Sequence, residues 1–95
     1  MLLPLAGKDI RRAVKWYEEK SYGLGERFRE EVFTQIDKLK SDFLERGPVY
    51  EGLSRILLKK FPYIVYYQKN TATKTITIYA VLNKKQDRTG LASRL

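Results

Sequence analysis

The sequence predicts a small α+β domain, with an N-terminal helical hairpin packed on a small twisted antiparallel sheet. Three observations predict it. Residues 9–20 and 26–43 each carry an apolar stripe at the 3.6-residue period, and Gly23 and Gly25 sit between the two stripes. Residues 75–82 alternate strictly between two sides, in a stretch rich in β-branched and aromatic types. Between these halves, Gly47-Pro48 marks where helical periodicity ends and strand periodicity begins.

The first stripe is Ile10, Ala13, Val14 and Tyr17, with Trp16 beside it as a residue to extend the stripe and pack between helix and sheet. Lys8, Arg11, Arg12, Lys15, Glu18 and Glu19 fill the remaining surface, and Asp9 near the start suits the helix dipole. Ser21-Tyr22-Gly23-Leu24-Gly25 breaks the helix, the glycines supplying the backbone freedom of a sharp reversal. The second stripe is Phe28, Val32, Ile36, Leu39 and Phe43, so the two helices form an antiparallel pair.

Residues 49–53 are ambiguous, and residues 53–58 begin the strand region. Lys59-Lys60-Phe61-Pro62 makes a basic, aromatic corner, with Pro62 placed before the next strand because it cannot donate to a ladder. In residues 63–67 Ile64, Val65, Tyr66 and Tyr67 are all large, which predicts a central strand covered on both faces, one by the protein and the other by a partner. A polar turn at residues 70–74 closes an antiparallel hairpin with residues 75–82. On that last strand Ile76, Ile78, Ala80 and Leu82 share one side, the better core candidate, and Thr75, Thr77, Tyr79 and Val81 the other. The result is a three-stranded meander with helices on one face and the other face open to a partner.

With 95 residues the chain makes one domain, residues 1–95, and residues 84–95 read as a tail that turns or frays. No cysteine is present, which excludes a disulfide framework and thiolate catalysis and points to an intracellular, cytoplasmic protein. No histidine is present either, so imidazole catalysis and a Cys/His zinc site are excluded, and no metal or cofactor is expected. No apolar run reaches the length of a membrane span. The formal net charge of +8 calls for an anionic partner: nucleic acid, a ribosomal surface or an acidic protein.

A set of short words, each weak alone, occurs together in order over residues 6–87. They are Asp9-Ile10, Trp16-Tyr17-Glu18, Gly23-Leu24-Gly25 with Phe28, Phe61-Pro62-Tyr63 with Tyr66, and Ala80-Val81-Leu82. The set resembles the RelE/ParE superfamily of toxins from bacterial type II toxin–antitoxin systems, nearer its ParE-like branch. The resemblance implies the same α+β fold and neutralisation by a cognate antitoxin whose C-terminal segment wraps the toxin. It implies DNA gyrase as the target, or, for RelE-like members, mRNA cut in the ribosomal A site. A third reading is a non-toxic basic binding protein on the same fold. Two features depart from the family pattern. Only Met1-Leu2-Leu3 remains of the usual first strand, which is therefore very short or absent, and Asn83 stands where many relatives carry histidine.

The candidate contacts to target or antitoxin are Arg55, Lys59, Lys60, Tyr63, Tyr66, Asn83, Lys84 and Lys85. The cations supply a positive field, and Tyr63 or Tyr66 a stacking surface. The bland alternatives are a solvated basic rim for the lysines and core packing for the tyrosines. No catalytic residue is assigned, because no side chain in the pattern is poised to transfer a proton near neutral pH.

Overall fold

The computed structural model describes residues 1–41 and 52–86, together with Leu91 and Arg94. Two helices, α1 (Pro4–Lys20) and α2 (Leu24–Ser41), precede three strands, β1 (Ser54–Leu57), β2 (Tyr63–Asn70) and β3 (Thr75–Asn83). The strands form one antiparallel sheet in the order β1-β2-β3, the meander expected of an α+β chain with a helical hairpin at its N-terminal side. The expected end of α2 at Phe43, the stop at Glu45-Arg46-Gly47-Pro48 and the ambiguous residues 49–51 lie outside the described residues.

α1 starts five residues earlier than the periodicity suggests. Pro4 opens it, since its fixed φ suits the first turn and its missing N–H would be unpaired there anyway. Asp9 is therefore in mid-helix and has no first-turn dipole role. Before α1, residues 1–3 lie parallel to β3. The Leu3 N–H donates to the Ile78 carbonyl at 3.1 Å, the Ile78 N–H to the Met1 carbonyl at 2.8 Å, and the Met1 amino group to Ile76. The very short first strand is thus a single bridge, Leu2 to Ile78, on the outer edge of β3.

The reversal between the helices depends on both glycines. Gly23 has φ +83°, where a side chain is strained, and a Cβ on Gly25 would lie 2.5 Å from the Val14 carbonyl oxygen. Glu18 closes the reversal: its carboxylate accepts the Gly23 N–H at 2.9 Å and the Gly25 N–H at 3.0 Å. It therefore caps the start of α2 and does more than solvate α1.

β3 departs from strict alternation. Tyr66 of β2 pairs with Ala80 and Tyr67 with Ile78, so Tyr79 is an extra residue on β3, a β-bulge. The bulge exchanges the faces of everything after it. Ile76, Ile78 and Val81 meet the helices, while Ala80 and Leu82 turn to the far face. The expected apolar row of four is thus split two and two, and Val81, expected outward, is 1% exposed in the core.

Two apolar cores result. The first joins Ile10, Tyr17, Phe28, Val32 and Ile36 of the helices to Val65, Tyr67, Ile76, Ile78 and Val81 of the sheet. Val14 packs against it half-buried. The second lies on the far face and comprises Leu53, Ile64, Tyr66, Ala80, Leu82 and Leu91. β2 is covered on both faces, but the far face, expected to be open to a partner, is covered by this chain's own Leu53 and Leu91.

Arg94 ties the far side to α1. Its guanidinium donates to both carboxylate oxygens of Asp9, at 2.6 and 3.2 Å, and to the Tyr79 carbonyl at 3.2 Å. Asp9 also accepts the Val81 N–H at 3.0 Å, immediately after the bulge. One buried carboxylate therefore joins helix, bulge and C-terminal residue.

Candidate functional site

The chemistry gathers at the end of the sheet where β1 stops, β2 starts and β3 stops. The corner of residues 58–62 is held from both sides. Glu31 of α2 accepts the N–H groups of Lys59 and Lys60 at 2.6 and 2.9 Å. Phe61 enters a cluster of rings with Tyr17, Phe28 and Tyr63, with centroids 4.8–6.0 Å apart. The Phe61-Pro62-Tyr63 word thus fixes the corner to both helices, and the backbone N–H of Lys84 to the Pro62 carbonyl, at 2.9 Å, fixes it to β3.

Beside the corner, between α1 and the strand ends, lies a cleft of about 270 Å³. α1 contributes Asp9, Arg12, Ala13 and Trp16, which share one helix face by their spacing. The sheet contributes Tyr63 and Val81, with Asn83 and Gln86 completing the rim. Trp16 stands at the lip, 53% exposed, with the Lys20 ammonium 4.7 Å from its ring centre. It does not pack between helix and sheet as its place beside the stripe suggests. Ala13 and Tyr17 take the inward positions, as their place in the stripe predicts, and Trp16 stays at the edge.

The polar lining is biased toward donors. Asn83 Oδ1 accepts the Lys85 N–H at 2.9 Å, and Gln86 Oε1 accepts the Asn83 N–H at 2.7 Å. The carbonyl ends of both amides are engaged by the turn, leaving their NH₂ ends to other partners. Asn83 bonds the Tyr63 phenol, which lowers that group's pKa, but burial of the ring outweighs it, and Asp9 also raises it. The phenol therefore stays protonated well past neutrality. Asp9 is occupied by Arg94 and Val81. What remains is Arg12, the Gln86 amide and the Tyr63 O–H around an apolar floor of Ala13 and Val81, a surface suited to an anionic or acceptor group.

The eight candidate residues divide between two places. Tyr63 pairs with Asn83 across β2 and β3, and Lys59, Lys60, Lys84 and Lys85 flank that pair on exposed turns. Arg55 and Tyr66 pair with each other on β1 and β2, on the far face, with Arg55 exposed and Tyr66 buried to 1%. Arg55 makes no ion pair among the described residues. Arg12, Trp16 and Gln86 were not singled out as site residues in the sequence. The signal for Arg12 was there: with Asp9, Ala13 and Trp16 it falls at i, i+3, i+4 and i+7.

A family model described as ParE toxin of type II toxin-antitoxin system, parDE, matches residues 1–88. The chain belongs to the ParE toxin family. It is a toxin of the type II toxin–antitoxin class, and ParE toxins pair with an antitoxin in these systems. No curated protein and no solved structure matches the chain. The family match extends over the helical hairpin, the sheet, the corner and the cleft, and ends before Leu91 and Arg94. No helix among the described residues is long and apolar enough to cross a membrane.

Proposed function

We propose that this ParE-family chain acts in the cytoplasm as an inhibitor of DNA gyrase, silenced by a cognate antitoxin. The observation that carries the reading is the family match over residues 1–88. The chemistry of the corner supports it. RNA scission without a metal needs a group to accept the 2′-hydroxyl proton near neutral pH. The chain has no histidine, and burial displaces the Tyr63 phenol upward, away from such a role. The exposed cations at 59, 60, 84 and 85 serve as contacts in this reading, and the antitoxin, an acid-bearing segment, covers the same rim.

The test is controlled expression of the chain without antitoxin, followed by a gyrase cleavage-complex assay and mRNA 5′-end mapping in parallel. Trapped, cleaved DNA with intact mRNA is the expected result. Ribosome-dependent mRNA cuts within minutes of induction would overturn it in favour of endoribonuclease activity. Neither effect would leave the chain a binding protein on a toxin fold. Co-expression of the neighbouring small reading frame is expected to restore growth and to co-purify with this chain.

A further inference from the structure

Four cations on the exposed face of α1, Lys8, Arg11, Arg12 and Lys15, have no carboxylate partner among the described residues. Positions i, i+3, i+4 and i+7 are neighbours on a helix surface, so the four form one stripe, about 10 Å long at 1.5 Å per residue. Arg12 belongs both to this stripe and to the cleft. On the opposite rim, Lys84 and Lys85 lie between Asn83 and Gln86, which also line the cleft. Cations thus flank the donor-lined cleft on both sides.

We propose that the cleft and the adjoining face of α1 bind the phosphodiester backbone of a nucleic-acid strand, one phosphate sitting against Arg12, Gln86 and Tyr63. An acidic peptide could also supply carboxylates along the stripe, but the half-exposed ring of Trp16 beside the cations favours a strand, which brings bases to stack as well as anions to pair. A strand carries an anion at every nucleotide and matches the stripe along its length. The donor bias of the lining fits a phosphate oxygen, which only accepts. The inference goes beyond membership of the toxin family and does not require gyrase to be the target.

Trp16 is the single tryptophan of the chain and reports on the cleft directly. The experiment is a fluorescence titration of the whole chain with 12-nucleotide oligo-dT and oligo-rU, and with a 12-residue oligo-glutamate as the acidic-peptide probe, at several salt concentrations. Either oligonucleotide is expected to quench Trp16, with affinity falling steeply with salt, a log–log slope of about −3. Arg12→Gln should weaken binding roughly tenfold and reduce the slope by about 1. Lys74→Asn removes the same charge from the β2–β3 turn and should change affinity less than about twofold, because that turn lies at the other end of the sheet. Should Arg12→Gln fail to fold, Lys84→Gln with Lys85→Gln is expected to give a loss of the same sign. Equal losses from Arg12→Gln and Lys74→Asn would mean diffuse attraction and overturn the proposal. Arg12-dependent quenching by oligo-glutamate but by neither oligonucleotide would assign the cleft to a protein partner and overturn it too. Gyrase inhibition is measured in a separate assay, so its failure and the failure of strand binding are told apart.

Discussion

The two faces of the sheet are closed by different means. On the helix face, α1 and α2 lay continuous apolar stripes across Val65, Tyr67, Ile76, Ile78 and Val81. On the far face no α-helix is present among the described residues, and Leu53 and Leu91 close over Ile64, Tyr66, Ala80 and Leu82 instead. The helix face is built from periodic elements whose stripes are local in sequence. The far face is built from single residues brought from either end of the strand region, and a contact spanning 85 positions, Arg94 to Asp9, holds it to α1. The first arrangement can be read from periodicity, whereas the second arises only once the chain is folded.

The largest expected effect breaks the helix face. Phe28 is fully buried and stacks with Tyr17 at 5.3 Å while meeting Phe61 and Tyr63 edge-on at 5.2 and 4.8 Å. Phe28→Ala removes the ring that joins both helices to the corner, and should cost about 3–5 kcal/mol by lost transfer and the cavity left behind. Denaturant unfolding of the two chains checks it. A loss below about 1 kcal/mol would mean that the two faces do not differ as described.

The next effect tests the far-face tie. Arg94→Ala leaves the Asp9 carboxylate buried with only the Val81 N–H, and an uncompensated buried charge costs roughly 3 kcal/mol. Asp9→Asn combined with Arg94→Ala should cost less than the sum of the two single changes, because the orphaned charge is then gone. Additive losses in a double-mutant cycle would show the contact to be incidental.

A smaller effect isolates the bulge. Under strict alternation Val81 faces outward with Thr77 and Tyr79, and Val81→Ala would be almost silent. With the bulge at Tyr79, Val81 packs in the helix-face core, and the same change removes two buried methyl groups, about 1.5–2 kcal/mol. The measured value discriminates between the two registers directly.

These contrasts also show what the residues disclosed in advance. Ile10, Tyr17, Phe28, Val32 and Ile36 were legible because a helix repeats its buried face every turn. Ile76 and Ile78 are legible because a strand alternates, whereas Ala80 and Leu82 are not, because the unpaired Tyr79 between Ile78 and Ala80 resets that alternation. A bulge has no composition signal here, since Tyr79 is an ordinary strand residue. At the candidate site, Tyr63, Asn83 and the flanking lysines follow from hairpin topology, which brings residues far apart in sequence to one end. Arg12 and Trp16 escaped because their role depends on which side of α1 meets the strand ends. Asp9 reads as a helix-dipole residue because the periodicity starts at it although Pro4 opens α1, and its partner Arg94 lies 85 positions away.

The smallest effect lies in alkaline solution and probes the helix face alone. Burial raises the Tyr17 phenol above its ordinary value of 10.0, and the neighbouring Tyr63 raises it further; burial also raises Tyr63. Both rings belong to the cluster on the helix face. A phenol whose pKa is higher in the folded state binds its proton more tightly there than in the unfolded chain. Its contribution is therefore fully present below about pH 10 and is lost as the pH rises through the folded value. The chain should hold its stability through the neutral range with respect to these groups and lose it above pH 10. Tyr17→Phe with Tyr63→Phe removes both titrations, so the difference in unfolding midpoint between this variant and the unaltered chain should shift in favour of the variant as the pH rises above about 10. A pH-independent difference would mean that neither phenol is held by the cluster, and that the helix face is looser around its rings than their spacing implies.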